Sequence, residues 1–144
     1  MSGIIGGVGS KSGVVGDTEI RYTEGDWTPA STVGTLSNQS FTHWRRIGDQ
    51  VWYSASVTFD GSGGGTVQRI VLPVGSATNS QQYNPSTVGY TTYTSGPILC
   101  IVWQNSNYVY FYKQSNATAL DAAALANKRV DFTAHFVINT TSYP

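Results

Sequence analysis

Val51-Trp52-Tyr53-Ser54-Ala55-Ser56-Val57-Thr58-Phe59 puts Val51, Tyr53, Ala55, Val57 and Phe59 on one side of an extended chain and Trp52, Ser54, Ser56 and Thr58 on the other. That two-residue period predicts a strand with one face on a core. Just before it, Phe41–Ile47 and the Gly48-Asp49 pair read as a strand and a tight turn, so the two strands make a hairpin. Just after it, Gly61-Ser62-Gly63-Gly64-Gly65 ends the strand and predicts a mobile loop. Thr66–Leu72 resumes extended structure and stops at Pro73. The last run repeats the alternation, with Val130, Phe132, Ala134, Phe136 and Ile138 inward and Arg129, Asp131, Thr133 and His135 outward.

Between these two runs the pattern changes. Gly75–Thr87 is polar and reads as a long surface loop, Val88–Tyr93 as an edge strand, and Gly96-Pro97 as a break. Ile98–Gln104 and Tyr108–Tyr112, joined by the Asn105-Ser106-Asn107 turn, are apolar on both faces. They predict a hairpin buried on both sides, by a second sheet and a helix or by neighbouring subunits. Thr118–Asn127 is the helix candidate, with Thr118 as a cap, Ala and Leu inside and Asn127 at the end. Many short strands and at most one short helix imply an all-β, jelly-roll-like β-sandwich. Trp103, Tyr108, Tyr110 and Tyr112 carry more aromatic surface than one sheet face needs, so they are the candidates for a subunit interface.

The chain has 144 residues, enough for one domain that buries about two thirds of its unfolded surface. Residues 24–144 form that domain; residues 1–23 read as an extended Gly-rich arm, beginning MSGIIGGVGSKSGVVG. Ordering such an arm costs roughly 1–2 kcal/mol per residue. Burying Ile4, Ile5, Val8, Val14 or Val15 returns about 1.5–3 kcal/mol each, so the arm needs a partner to hold it. Charged residues are 11% and the formal net charge is zero, which excludes nucleic-acid or membrane binding by bulk charge. The one cysteine, Cys100, lies in an apolar run and reads as a buried thiol. No basic start precedes an apolar stretch, so neither a signal peptide nor a membrane span is expected.

Catalytic and metal chemistry finds little support in the sequence. Gly7-Val8-Gly9-Ser10-Lys11-Ser12 has Ser10 where a phosphate-binding loop needs Gly, with no strand before it or helix after it. Lys11 is instead expected to meet a carboxylate on a partner or solvent. His43 and His135 have no second ligand at metal spacing. Asp49, Asp60, Asp121 and Asp131 fall at separate turns and faces and do not suggest a glycosidase pair. Tyr83, Tyr90 and Tyr93 are placed to stack on sugar rings or to pack the loop beside them.

Gly9-Ser10-Lys11-Ser12-Gly13, then Tyr22-Thr23-Glu24-Gly25-Asp26-Trp27-Thr28-Pro29, then Ile47-Gly48-Asp49-Gln50-Val51, then Leu72-Pro73 resembles a group of tailed-bacteriophage virion proteins. Arg46 stands where that group usually has Lys. The resemblance implies a jelly-roll module that trimerises, found at fibre tips and in small capsid proteins. With the motifs so near Met1, it implies a capsid cement or decoration protein at the virion's capsid surface, made in the host cytoplasm. Its partners would be itself and the major capsid protein. Ile4, Ile5 and Val8 would anchor the arm, and no cofactor or catalysis is implied. The alternative it implies is the receptor-binding knob of a tail or head fibre, recognising a host surface glycan.

Overall fold

The computed structural model describes residues 22–73 and 83–138. The alternating run becomes β4 (Gln50–Phe59), with Val51, Tyr53, Ala55, Val57 and Phe59 all buried. It pairs with β3 (Leu36–Ile47) through the two-residue turn expected at Gly48-Asp49. Gly48 has φ +60, the left-handed backbone that a tight hairpin requires at this position. Arg46 fixes the turn by donating from Nε to the Gly48 carbonyl at 2.6 Å. The second alternating run forms β10 (Arg129–Val137) and lies antiparallel beside β4, from Arg129 opposite Thr58 to Val137 opposite Gln50.

The other strands are β1 (Tyr22–Asp26), β2 (Ala30–Ser31), β5 (Arg69–Val71), β6 (Tyr83–Thr91), β7 (Ile98–Trp103), β8 (Tyr108–Lys113) and β9 (Thr118–Ala119). One antiparallel sheet runs β1-β3-β4-β10-β6-β7-β8-β5-β2, with β9 added beside β8. The sheet folds over at β6, whose first half pairs with β7 and whose second half pairs with β10. Two layers result. Pairing is nested: β4 with β10, β5 with β8 and β6 with β7, as when one long hairpin is rolled into a jelly roll. Phe111 of β8 joins the layers, meeting Phe59 of β4 and Phe132 of β10 edge to face at 5.6 Å each.

The residues quoted for the virion resemblance have structural work to do. Trp27 is buried, donates from Nε1 to the Ser54 carbonyl at 3.2 Å and meets Tyr53 edge to face. Gly25 lies under Trp44, where a Cβ would sit 3.2 Å from the indole nitrogen. Leu72 is buried, and its N–H reaches the Asn107 carbonyl at 2.7 Å. β1 begins at Tyr22, inside the span read as arm.

Four expectations change. Thr118–Asn127 is not a helix: Leu120 donates to the Phe111 carbonyl and accepts from Gln68, and Ala122 donates to Thr66. These sheet-like bonds bury Leu120, Ala122 and Leu125, outweighing the helix propensity of Ala and Leu. Asn127 still ends the turn, at φ +57. The glycine tract is closely packed and not an open loop: Gly64 accepts a bond from Ala123, and a Cβ at Gly61 or Gly63 would overlap Ala126 or Val33. Residues 83–87 are strand, and β6 sits between β7 and β10 and not at an edge. Finally, within one chain the β7–β8 hairpin buries one face: Leu99 and Trp103 remain about 40% exposed, so among the described residues a second sheet and a helix do not cover the other face, and cover by a neighbouring subunit is a separate matter.

Candidate binding surface

The outward face of β5, β7 and β8 carries the residues singled out for their aromatic surface. Alternation turns Cys100, Val102, Val109 and Phe111 into the core, which leaves Trp103, Tyr108, Tyr110 and Tyr112 outside. The structure brings these four together. Tyr110 lies 5.6 Å from Trp103, 6.4 Å from Tyr108 and 6.5 Å from Tyr112, ring centre to ring centre. Trp103 is 39% exposed and the three tyrosines are half-buried.

Pairing of β5 with β8 adds a residue that the sequence pattern did not mark. Arg69 stands opposite Tyr110, and its guanidinium lies 5.2 Å from the Tyr108 ring centre and 5.7 Å from that of Tyr110. No carboxylate among the described residues is within ion-pair distance of it, and its buried Nε has no hydrogen-bond partner. A groove of about 440 Å³ runs between Val67, Arg69, Trp103, Tyr110, Tyr112 and Ala119. Among the described residues Arg69 is the one charged side chain lining it. Aromatic planes beside a guanidinium suit a ring that has an apolar face and a polar rim. The only signal in the sequence was a lone cation within the otherwise uncharged run Val67–Leu72.

The remaining candidates are scattered. Tyr83 opens β6 at the register position opposite Trp103, whereas Tyr90 lies opposite Asp131 in the other layer. Tyr90 is exposed with the Arg129 guanidinium 5.4 Å from its ring, and Tyr93 is half-buried against the core. Ile4, Ile5, Val8, Lys11, Val14 and Val15 lie outside the described residues.

His43 is the meeting point of two carboxylates, 3.5 Å from Glu24 and 3.4 Å from Asp26. The Tyr22 hydroxyl donates to Glu24 and holds its carboxyl below the usual range, with His43 adding to the effect. A glycosidase acid needs the opposite shift, and this group is exposed on an edge strand. His135 stacks on Trp52 at 4.9 Å, and burial lowers its pKa. Among the described residues no three His, Cys, Asp or Glu side chains gather as metal ligands would.

No protein-family model and no curated protein matches the sequence. The fold does find a counterpart, in the crystal structure of Dettilon tailspike protein (gp208), with a TM-score of 0.62 and 17% identity. This chain shares its fold with part of a tailspike. The match covers 82% of this chain and 24% of that one, so the chain spans about a quarter of the tailspike's length.

Proposed function

We propose that this chain is a bacteriophage virion surface module of the spike or fibre kind, which recognises a host-surface saccharide on the aromatic face of β5, β7 and β8. The observation that carries the reading is Trp103, 39% exposed at a groove whose lining among the described residues holds a single charge, Arg69. A pyranose ring lays its C–H face on Trp103 and Tyr110, and its hydroxyl oxygens accept from the guanidinium. Fold likeness to part of a tailspike supports placing such a face on a virion. The activity proposed is binding without catalysis or cofactor. A glycan array probed with the full chain and with Trp103→Ala tests it. Saccharide signals that disappear in the variant support the reading; a blank array, or signals indifferent to Trp103, overturn it.

A second reading is favoured by the Gly-rich arm with its apolar Ile4, Ile5, Val8, Val14 and Val15. In it the chain is a capsid cement or decoration protein, a trimer whose arms tie it to the major capsid protein. Three arms acting together would offset weak binding by each. Cosedimentation with capsids stripped of this protein, with and without residues 1–16, separates the two readings. Arm-dependent saturable binding belongs to the cement reading alone.

A further inference from the structure

Phe41 is the most anomalous residue of the described chain. It lies within a strand at φ +53 and is 80% exposed. Positive φ is a genuine outlier for a bulky side chain, and a large exposed ring gains nothing from burial. The conformation is built in. On β3 the register steps three residues, from Ser40 to His43, while β4 steps two, from Ser56 to Ser54, so Phe41 is thrown out at a bulge. The Ser54 hydroxyl lies 3.4 Å from the carbonyls of both Phe41 and His43, facing the bulge from β4. Strained backbone of this kind clusters at active sites, ligand clamps and switch regions.

Beside the ring lies a hollow of about 310 Å³, lined by Phe41 itself and by Ser54, Ser56, Thr87, Gly89 and Thr133. Gly89 is itself skipped at a second bulge, between β6 and β10. One face therefore carries a projecting ring and, next to it, a cleft floored by small side chains. We propose that this outer face of β3, β4, β10 and β6 is a self-association surface, where Phe41 of one copy enters the hollow beside Phe41 of the next.

Electrostatics favour a second copy over a charged partner. Among the described residues Asp131 is the one charged side chain lining the hollow, and Arg129 engages both its carboxylate oxygens at 2.8 Å. With a formal net charge of zero, two copies approach without net repulsion. A second copy brings a further ring beside the Phe41 ring that already lines the cleft. A ring entering from a neighbour buries both the projecting Phe41 and the apolar part of the floor, and a patch that carries both knob and hollow is self-complementary, as a closed symmetric contact requires. The subunit interface then lies on the layer opposite Trp103, Tyr108, Tyr110 and Tyr112.

Sedimentation velocity of the full chain over a range of concentrations tests this, with three variants. Wild type is expected to be a multimer. Phe41→Gly removes the ring and accepts the positive φ, so it should fold, melt no lower than wild type and sediment as one chain. Thr133→Lys fills the cleft from the exposed side and should also give one chain. Trp103→Ala should keep the wild-type mass. A wild-type chain that stays monomeric assigns the face to some other partner and overturns the proposal; so does a Phe41→Gly or Thr133→Lys protein of unchanged mass.

Discussion

Replacing Gly61 by Ala is the sharpest test of how this sandwich closes. Gly61 has φ +80, and a Cβ built on it would sit 2.4 Å from the Ala126 Cβ and 2.9 Å from its Cα. The left-handed backbone costs an L-residue about 1–2 kcal/mol. Forcing the methyl into the turn that carries Ala126 adds overpacking of about 1–3 kcal/mol. The sum is about 2–5 kcal/mol, and at about 3–5 °C per kcal/mol for a domain of this size the midpoint falls by about 6–25 °C. Gly64 supplies the internal control: its φ is +60, yet nothing lies within 4 Å of the position a Cβ would take. Gly64→Ala should therefore show the backbone cost alone, about 1–2 kcal/mol. Adding Ala126→Gly to Gly61→Ala should recover part of the loss, since one methyl is removed while the φ and the close Cα remain. Thermal melts followed by near-ultraviolet circular dichroism read all four proteins. Equal effects at Gly61 and Gly64 would refute the packing argument and return the tract to a free loop.

Other outcomes follow from single groups. Asp60 accepts bonds from the Thr35 and Ser62 backbone N–H groups and from both hydroxyls, which holds its carboxyl far below the ordinary 3.8. A depressed folded pKa means stability that is present above the unfolded value and lost as pH falls toward the folded one. Wild type should therefore lose thermal midpoint as the pH is lowered from about 4. Asp60→Asn should start lower at pH 7 and change less across that window; parallel curves would contradict the assignment. Burial pushes the Cys100 thiol up to about 12, so it should resist a soluble disulfide reagent at pH 8 until denaturant is added. Rapid native-state labelling would show that β7 opens.

What could be read from the sequence was whatever depended on one strand at a time. Val51–Phe59 and Val130–Ile138 each face a single core, so alternation alone named all ten of their inward residues. The Gly48-Asp49 turn was equally local. Thr118–Asn127 misled because its composition favours a helix, while the bonds that decide it come from Phe111, Gln68 and Thr66, distant in sequence. The β7–β8 hairpin is apolar on both faces, and no pattern within it says which face is covered. Arg69 joins the aromatic face only because β5 pairs with β8, setting residue 69 opposite residue 110. Phe41 was hidden for a related reason. It reads as the first residue of an ordinary strand, and its projection is a register event fixed by β4.

The two outer faces differ in a way that divides recognition from assembly. One is a row of rings around Arg69 in the layer of β5, β7 and β8; the other is a cleft of small residues beside Phe41 in the layer of β3, β4, β10 and β6. The core separates them, so substitutions on the two faces should act independently. If copies associate through Phe41, each assembly displays several aromatic grooves. Binding to a surface dense in saccharide should then exceed binding to a soluble oligosaccharide by roughly 10²–10⁴-fold through effective concentration alone. Phe41→Gly should forfeit that excess on a coated surface while keeping the wild-type Kd for the soluble sugar, and Trp103→Ala should lose both. Surface plasmon resonance against immobilised saccharide, set beside calorimetry with the free oligosaccharide, makes the comparison. A Phe41→Gly protein that weakens toward the soluble sugar as strongly as toward the surface would mean that the two faces are coupled and the division is wrong.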